Sequence, residues 1–216
     1  MDALSGLRTQ YAECSTYADT GVVEITFIHP GDKRITKRPF LTAFLRPDRF
    51  RFEFHDEIVD GQVTRLIIWR SGRRVRVHWD IEPIATLRRW IPNALASILQ
   101  RTTTIAMAVA GATGVSGGSA HTVPQLLMPR EISGTSLAQP DSVDNLPSQL
   151  IDGRQCSQLR LRFRSSIETV WIDSETYLLR QTAAQHVFSD FETQTITRYR
   201  PAMNQPVSED ALKFAL

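Results

Sequence analysis

Apolar and polar residues alternate strictly through Arg49-Phe50-Arg51-Phe52-Glu53-Phe54. Side chains of an extended strand point alternately to opposite faces. The pattern therefore sets Phe50, Phe52 and Phe54 on one face and Arg49, Arg51 and Glu53 on the other. The same device returns in Val75, Val77 and Trp79 against Arg74, Arg76 and His78, and in Leu159, Leu161 and Phe163 against Arg160, Arg162 and Arg164. Strands of this kind build antiparallel sheets with one apolar face and one face that water reaches. The apolar face is either filled by core or left open for a ligand.

The wider pattern predicts a helix over 3–17, where Leu4, Leu7, Tyr11 and Cys14 recur at helical spacing. Asp19-Thr20-Gly21 is expected to end it and to start a strand over 22–28. Strands follow at 36–45, 49–55, 63–70 and 73–80, with turns at 29–32, 60–61 and 71–72. From Pro83 the period becomes helical through Ile84, Leu87, Trp90, Ile91, Leu95 and Ile98, with Pro92 as a kink or break. An apolar run at 105–115, a flexible Ser116-Gly117-Gly118-Ser119 and a short helical piece at 123–128 complete this insertion. Residues 129–149 read as an exposed connection. Strands resume at 150–164, 167–173, 177–187 and 190–200. The expectation is one α+β domain over 1–216. Its layout, an N-terminal helix, about nine to eleven strands in one antiparallel sheet and a helical insertion over 83–128, fits an α+β or curled-barrel architecture.

Composition narrows the function classes. The chain has 216 residues, 42% hydrophobic and 22% charged, with a net charge of only +2. Nothing in that balance draws the whole molecule toward nucleic acid. Only Lys33, Lys37 and Lys213 of the 25 basic residues are lysine. The arginine excess reads as cross-strand Arg–Glu pairing, with carboxylate or phosphate binding as the alternative. The longest apolar run is about half of what a membrane-spanning helix needs. Met1-Asp2-Ala3 lacks the basic flank and apolar stretch of a signal peptide, which leaves a cytoplasmic protein or a mature exported one.

Five motifs occur in an order that resembles a known family. They are Tyr17-Ala18-Asp19-Thr20-Gly21 after the first helix, Phe44-Leu45-Arg46-Pro47-Asp48-Arg49-Phe50-Arg51, and Ile67-Ile68-Trp69 with Gly72. Trp171-Ile172-Asp173 with Leu178-Leu179-Arg180 follows, then Arg200-Pro201, Asn204-Gln205-Pro206 and Phe214. Together they resemble the LolA/LolB lipoprotein-carrier superfamily, which also includes sensors of the RseB/MucB type. The resemblance implies an unclosed barrel whose apolar concave face holds a lipid or the acyl chain of a lipoprotein under a helical lid. It makes Phe44, Phe50, Phe52, Phe54, Trp69, Trp79, Trp90, Leu161 and Phe163 the expected ligand-facing residues. Arg46 matches the family's lid-holding arginine, and Ile91, Leu95 and Met107 fall on the lid. Residues 83–128 are alternatively a permanent plug. The resemblance further implies a monomeric periplasmic or cell-envelope carrier, without cofactor. A lipid-modulated interaction module, with a membrane-associated protein as partner, is the competing class.

Other chemistry is weaker. Ala110-Gly111-Ala112-Thr113-Gly114 imitates a dinucleotide turn, but Pro124 and Pro129 interrupt the helix that would hold a pyrophosphate. Cys14 and Cys156 are too few for a structural zinc site; they either form one disulfide or remain two separate thiols. His29, His55, His78, His121 and His186 show no ligand spacing, and no metal site is expected. No Gly-x-Ser-x-Gly elbow is present, so the chain is expected not to be an enzyme.

Overall fold

The structure is a computed structural model that describes residues 2–57, 63–79, 104–134, 137, 139–164 and 166–215. Helix α1 (Ala3–Glu13) is capped by Asp2, whose carboxylate accepts the Ser5 N–H at 2.9 Å. Strands β1 (Thr16–His29), β2 (Asp32–Leu45), β3 (Arg49–Glu57), β4 (Val63–Ser71) and β5 (Arg74–Trp79) follow as antiparallel hairpins. Helices α2 (Ile105–Thr113) and α3 (Ser119–Leu127) come next. The chain then returns through β6 (Ser142–Ile151), β7 (Arg154–Phe163), β8 (Ser166–Asp173), β9 (Leu179–Val187), β10 (Glu192–Arg198) and the two-residue β11 (Ala202–Met203).

All eleven strands belong to one sheet, in the order β5-β4-β3-β2-β1-β10-β9-β8-β7-β6, with β11 added beside β1. The long-range β1–β10 pairing joins the two meanders. β5 and β6 end the path, so the sheet is not closed, as the family resemblance implies. This topology constrains the middle of the chain. Whatever links β5 to β6 must travel from one free edge to the other, and α2 and α3 lie along that route. Both bury apolar faces: Ile105, Ala108, Val109 and Ala112 from α2, and Val123, Leu126 and Leu127 from α3. In the described part of the insertion, these helices are core.

Several element boundaries differ from the sequence reading. α1 stops at Glu13, and β1 begins at Thr16 and runs straight through Asp19-Thr20-Gly21. Gly21 breaks nothing there; it leaves room for the Phe40 ring, which would lie 2.2 Å from an added Cβ. The expected single strand at 150–164 is a hairpin turning at Asp152-Gly153, both at positive φ. Residues 142–149, expected in an exposed connection, form most of β6. Pro147 is tolerated because β6 is an edge strand and bulges between Leu146 and Gln149.

Candidate functional site

One end of the concave face is filled. Phe44, Phe50, Phe52 and Phe54 are each 0% exposed and join Leu66, Ile68, Val109 and Leu127 in a single core. Phe40 packs on Phe52 and Tyr199 with ring centroids 6.0 and 5.6 Å apart. α1 closes this end: Leu4, Leu7 and Tyr11 are buried, and the Tyr11 hydroxyl accepts the Leu179 N–H at 3.2 Å. Phe44, Phe50, Phe52 and Phe54, expected to face a ligand, therefore present no free surface. Arg46 fastens the helices around them. Its guanidinium donates to the carbonyls of Cys14 at 2.7 Å, Tyr11 at 3.3 Å and Leu127 at 3.3 Å, and lies over the Phe44 ring.

The other end is open. A cleft of about 730 Å³ lies between the inward residues of β1, β7, β8, β9 and β10 and the turn joining α2 to α3. Its apolar lining is Ile25, Phe27, Val115, Phe163 and Ile167. Gly117 (φ 57°) and Gly118 (φ 88°) shape that turn. A Cβ on Gly117 would fall 2.9 Å from Val23, so glycine lets the turn sit directly on β1 and separates the packed end from the open one. The polar lining includes Thr182, Thr193, Thr195, His121, His186 and the ion pair of Arg38 Nε with Asp56 at 2.8 Å.

Glu168 is the unusual member of this lining. It stands on β8 between Leu161 of β7 and Ala184 of β9. It makes no hydrogen bond or ion pair among the described residues, and desolvation alone pushes its carboxyl up to about 7. Farther in, Asp19 accepts from the Tyr17 hydroxyl at 3.1 Å and the Arg200 N–H at 2.7 Å, yet burial still raises it to about 6. The Tyr199 hydroxyl is buried near Thr182 and Thr122, and burial raises its pKa well above the usual phenol value.

The sequence-named residues are spread over these regions. Phe163 lines the open cleft, while Leu161 is fully buried and pairs directly with Glu168. Trp79 is half-buried against the core. Trp69 is a correction: it pairs with Arg51, whereas Ile68 pairs with Phe52, so Trp69 belongs to the opposite, convex face. There its indole N–H donates to the Leu212 carbonyl at 2.7 Å, and Arg76 lies over both Trp69 and Phe214. Met107 is half exposed on the outer side of α2. Trp90, Ile91 and Leu95 lie outside the described residues. Cys14 and Cys156 are both free and buried, which selects two separate thiols; burial pushes each thiol up, so neither is an activated nucleophile. No group of three or more metal-ligating side chains occurs among the described residues, and no described helix is long and apolar enough to cross a membrane.

The arrangement is an unclosed half-barrel, packed at one end and open at the other. No family model matches the sequence, and no curated protein matches it. Solved structures share the fold. LprF from Mycobacterium bovis is 7% identical over 95% of this chain and 93% of its own, with a TM-score of 0.49. A LolA superfamily protein from Nitrosomonas europaea is 8% identical over 98% and 96%, with a TM-score of 0.34. MucB in the Pseudomonas aeruginosa MucA/MucB complex is 14% identical over 99% of this chain, with a TM-score of 0.36. The chain spans 60% of that MucB.

Proposed function

We propose that this protein is a non-enzymatic, single-domain carrier of the cell envelope that holds a lipid, or the acyl chain of a lipoprotein, in the open end of its half-barrel. The cleft beside Ile25, Phe27, Val115, Phe163 and Ile167 carries this reading. An acyl chain there would gain about 25 cal/mol per Å² of apolar surface removed from water, before association costs. Arg46 would hold the helices closed over the core while the turn at Gly117 and Gly118 bounds the ligand. A periplasmic setting and a monomeric state accompany the proposal, and no cofactor is required.

A second reading has its own support. The Phe50, Phe52 and Phe54 wall is wholly buried, which suits a sensor whose barrel is mostly plugged and whose outer face meets a membrane-associated protein partner. Organic extraction and mass spectrometry of the protein, expressed with an export leader, test the two. A stoichiometric acyl species that is lost in Phe163→Glu supports the carrier. A protein that emerges without lipid, and takes none up from vesicles of phosphatidylethanolamine and phosphatidylglycerol, favours the sensor.

A further inference from the structure

A half-buried carboxylate without a partner is costly unless something supplies one. Glu168 is in that position. Its strand neighbours across the sheet are Leu161 and Ala184, and neither offers a donor from its side chain. The charged groups that share the cleft are otherwise placed. Arg38 of β2 is taken by Asp56 of β3 at 2.8 Å. His121 of α3 sits 3.4 Å from the Ser133 carbonyl. His186 of β9 is exposed at the cleft's margin. From β10 and β1 only Thr193, Thr195, Ile25 and Phe27 face the space.

We infer that Glu168 is the head-group anchor of the cleft, and that the preferred ligand is an amphiphile whose polar end is a cationic amine. The inference rests on the acyl-binding reading above and names the chemistry of that same site. The apolar tail would lie on Ile25, Phe27 and Phe163, and the ammonium would reach the Glu168 carboxylate. Charge-assisted hydrogen bonds of this kind are short and about twice as strong as neutral ones. Glu168 is half-buried, and desolvation raises its proton affinity. A carboxylate head would instead place two like charges together. The buried Tyr199 hydroxyl lies nearby, close enough for Glu168 to raise its pKa further.

The test uses the full chain, delipidated, with three ligands of equal length: dodecylamine, dodecanol and dodecanoic acid. Binding is measured by titration calorimetry at about pH 8, where the amine is cationic. Dodecylamine is expected to bind about tenfold or more tightly than dodecanoic acid, a difference of about 1.4 kcal/mol or more. Glu168→Gln is expected to abolish the preference of amine over acid, and Glu168→Ala to do the same, with dodecanol reporting whether the cleft still takes the alkyl chain. Equal binding of amine and acid to the unaltered protein overturns the head-group assignment, as does a preference that survives both substitutions. If none of the three ligands binds, the acyl-binding reading itself fails, a result separable from a lost preference.

Discussion

The Arg46 guanidinium donates to the Leu127 carbonyl at 3.3 Å, which ties the loop between β2 and β3 to the last residue of α3. The same guanidinium holds the end of α1 through Tyr11 and Cys14. Three elements distant in sequence thus share one side chain. Arg46→Met keeps much of the packing and removes every donor. Hydrogen bonds to charged groups contribute about 1.5–3 kcal/mol each, and Arg46 is half-buried, so the expected loss is about 2–3 kcal/mol in total. Urea unfolding measures it, and amide exchange localises it: α3 is expected to lose protection before the β1–β10 pairing does. Unchanged exchange in α3 would show that Arg46 does not hold that helix.

Strict alternation made the strands legible, because a half-buried strand leaves a two-residue period whatever its neighbours do. Phe50, Phe52 and Phe54 were assigned to one face on that ground, and they share it. Face matching between strands was not legible. Trp69 looks equivalent to the phenylalanines by composition, but register with β3 pairs it with Arg51, and register depends on the hairpin as a whole. Glu168 was missed for a related reason. Ile167-Glu168-Thr169-Val170-Trp171-Ile172 alternates acceptably in either phase. Only the structure shows that Glu168 shares its face with Val170 and Ile172, which are 0% exposed. An acid in phase with two aliphatic residues was the available signal. Gly21 was read as a breaker because sequence cannot show that an aromatic ring needs the space.

Gly21 supplies the next prediction. An alanine Cβ there would lie 2.2 Å from the Phe40 ring and 2.6 Å from the Arg198 carbonyl oxygen. The backbone oxygen cannot swing away, since it belongs to the β1–β10 ladder. Gly21→Ala is therefore expected to cost about 3 kcal/mol by overpacking. Phe40→Leu, which shortens the ring side of the clash, is expected to recover part of that loss in the double variant. Chemical denaturation of the four proteins measures the coupling; strict additivity would contradict the proposed contact.

The C-terminal tail is predicted to stabilise the convex face. Leu212 is buried, its carbonyl accepts the Trp69 indole N–H, and Phe214 lies 6.0 Å from Trp69 between rings. Arg49 adds a paired contact to Glu209 at 2.7 and 2.9 Å, an exposed bridge of small worth. Leu212→Ala is expected to cost about 2–3 kcal/mol, whereas Glu209→Gln is expected to cost less than about 1 kcal/mol. Limited proteolysis gives the structural readout: cleavage near residue 210 should accelerate in the first variant and scarcely change in the second.

The two raised carboxyls predict how stability varies with pH. Asp19 is raised from 3.8 to about 6, and Glu168 from 4.5 to about 7. In each interval the folded protein binds more protons than the unfolded chain, so unfolding free energy falls as pH rises. Their contribution is fully present below the unfolded values and is lost as pH passes about 6 and about 7. Glu24 and Asp173 are shifted down, Glu24 chiefly by Lys37 and Asp173 by N–H donors of its turn and Arg180 against the cost of burial. They act in the opposite sense, and chiefly at lower pH. Glu168→Gln separates the terms, because Glu168 has no hydrogen bond to lose among the described residues. The variant should match the unaltered protein at about pH 4 and exceed it at about pH 8. Urea midpoints across this range measure the effect, and a Glu168→Gln protein less stable than the original at the upper end would mean that the carboxylate has a favourable partner after all.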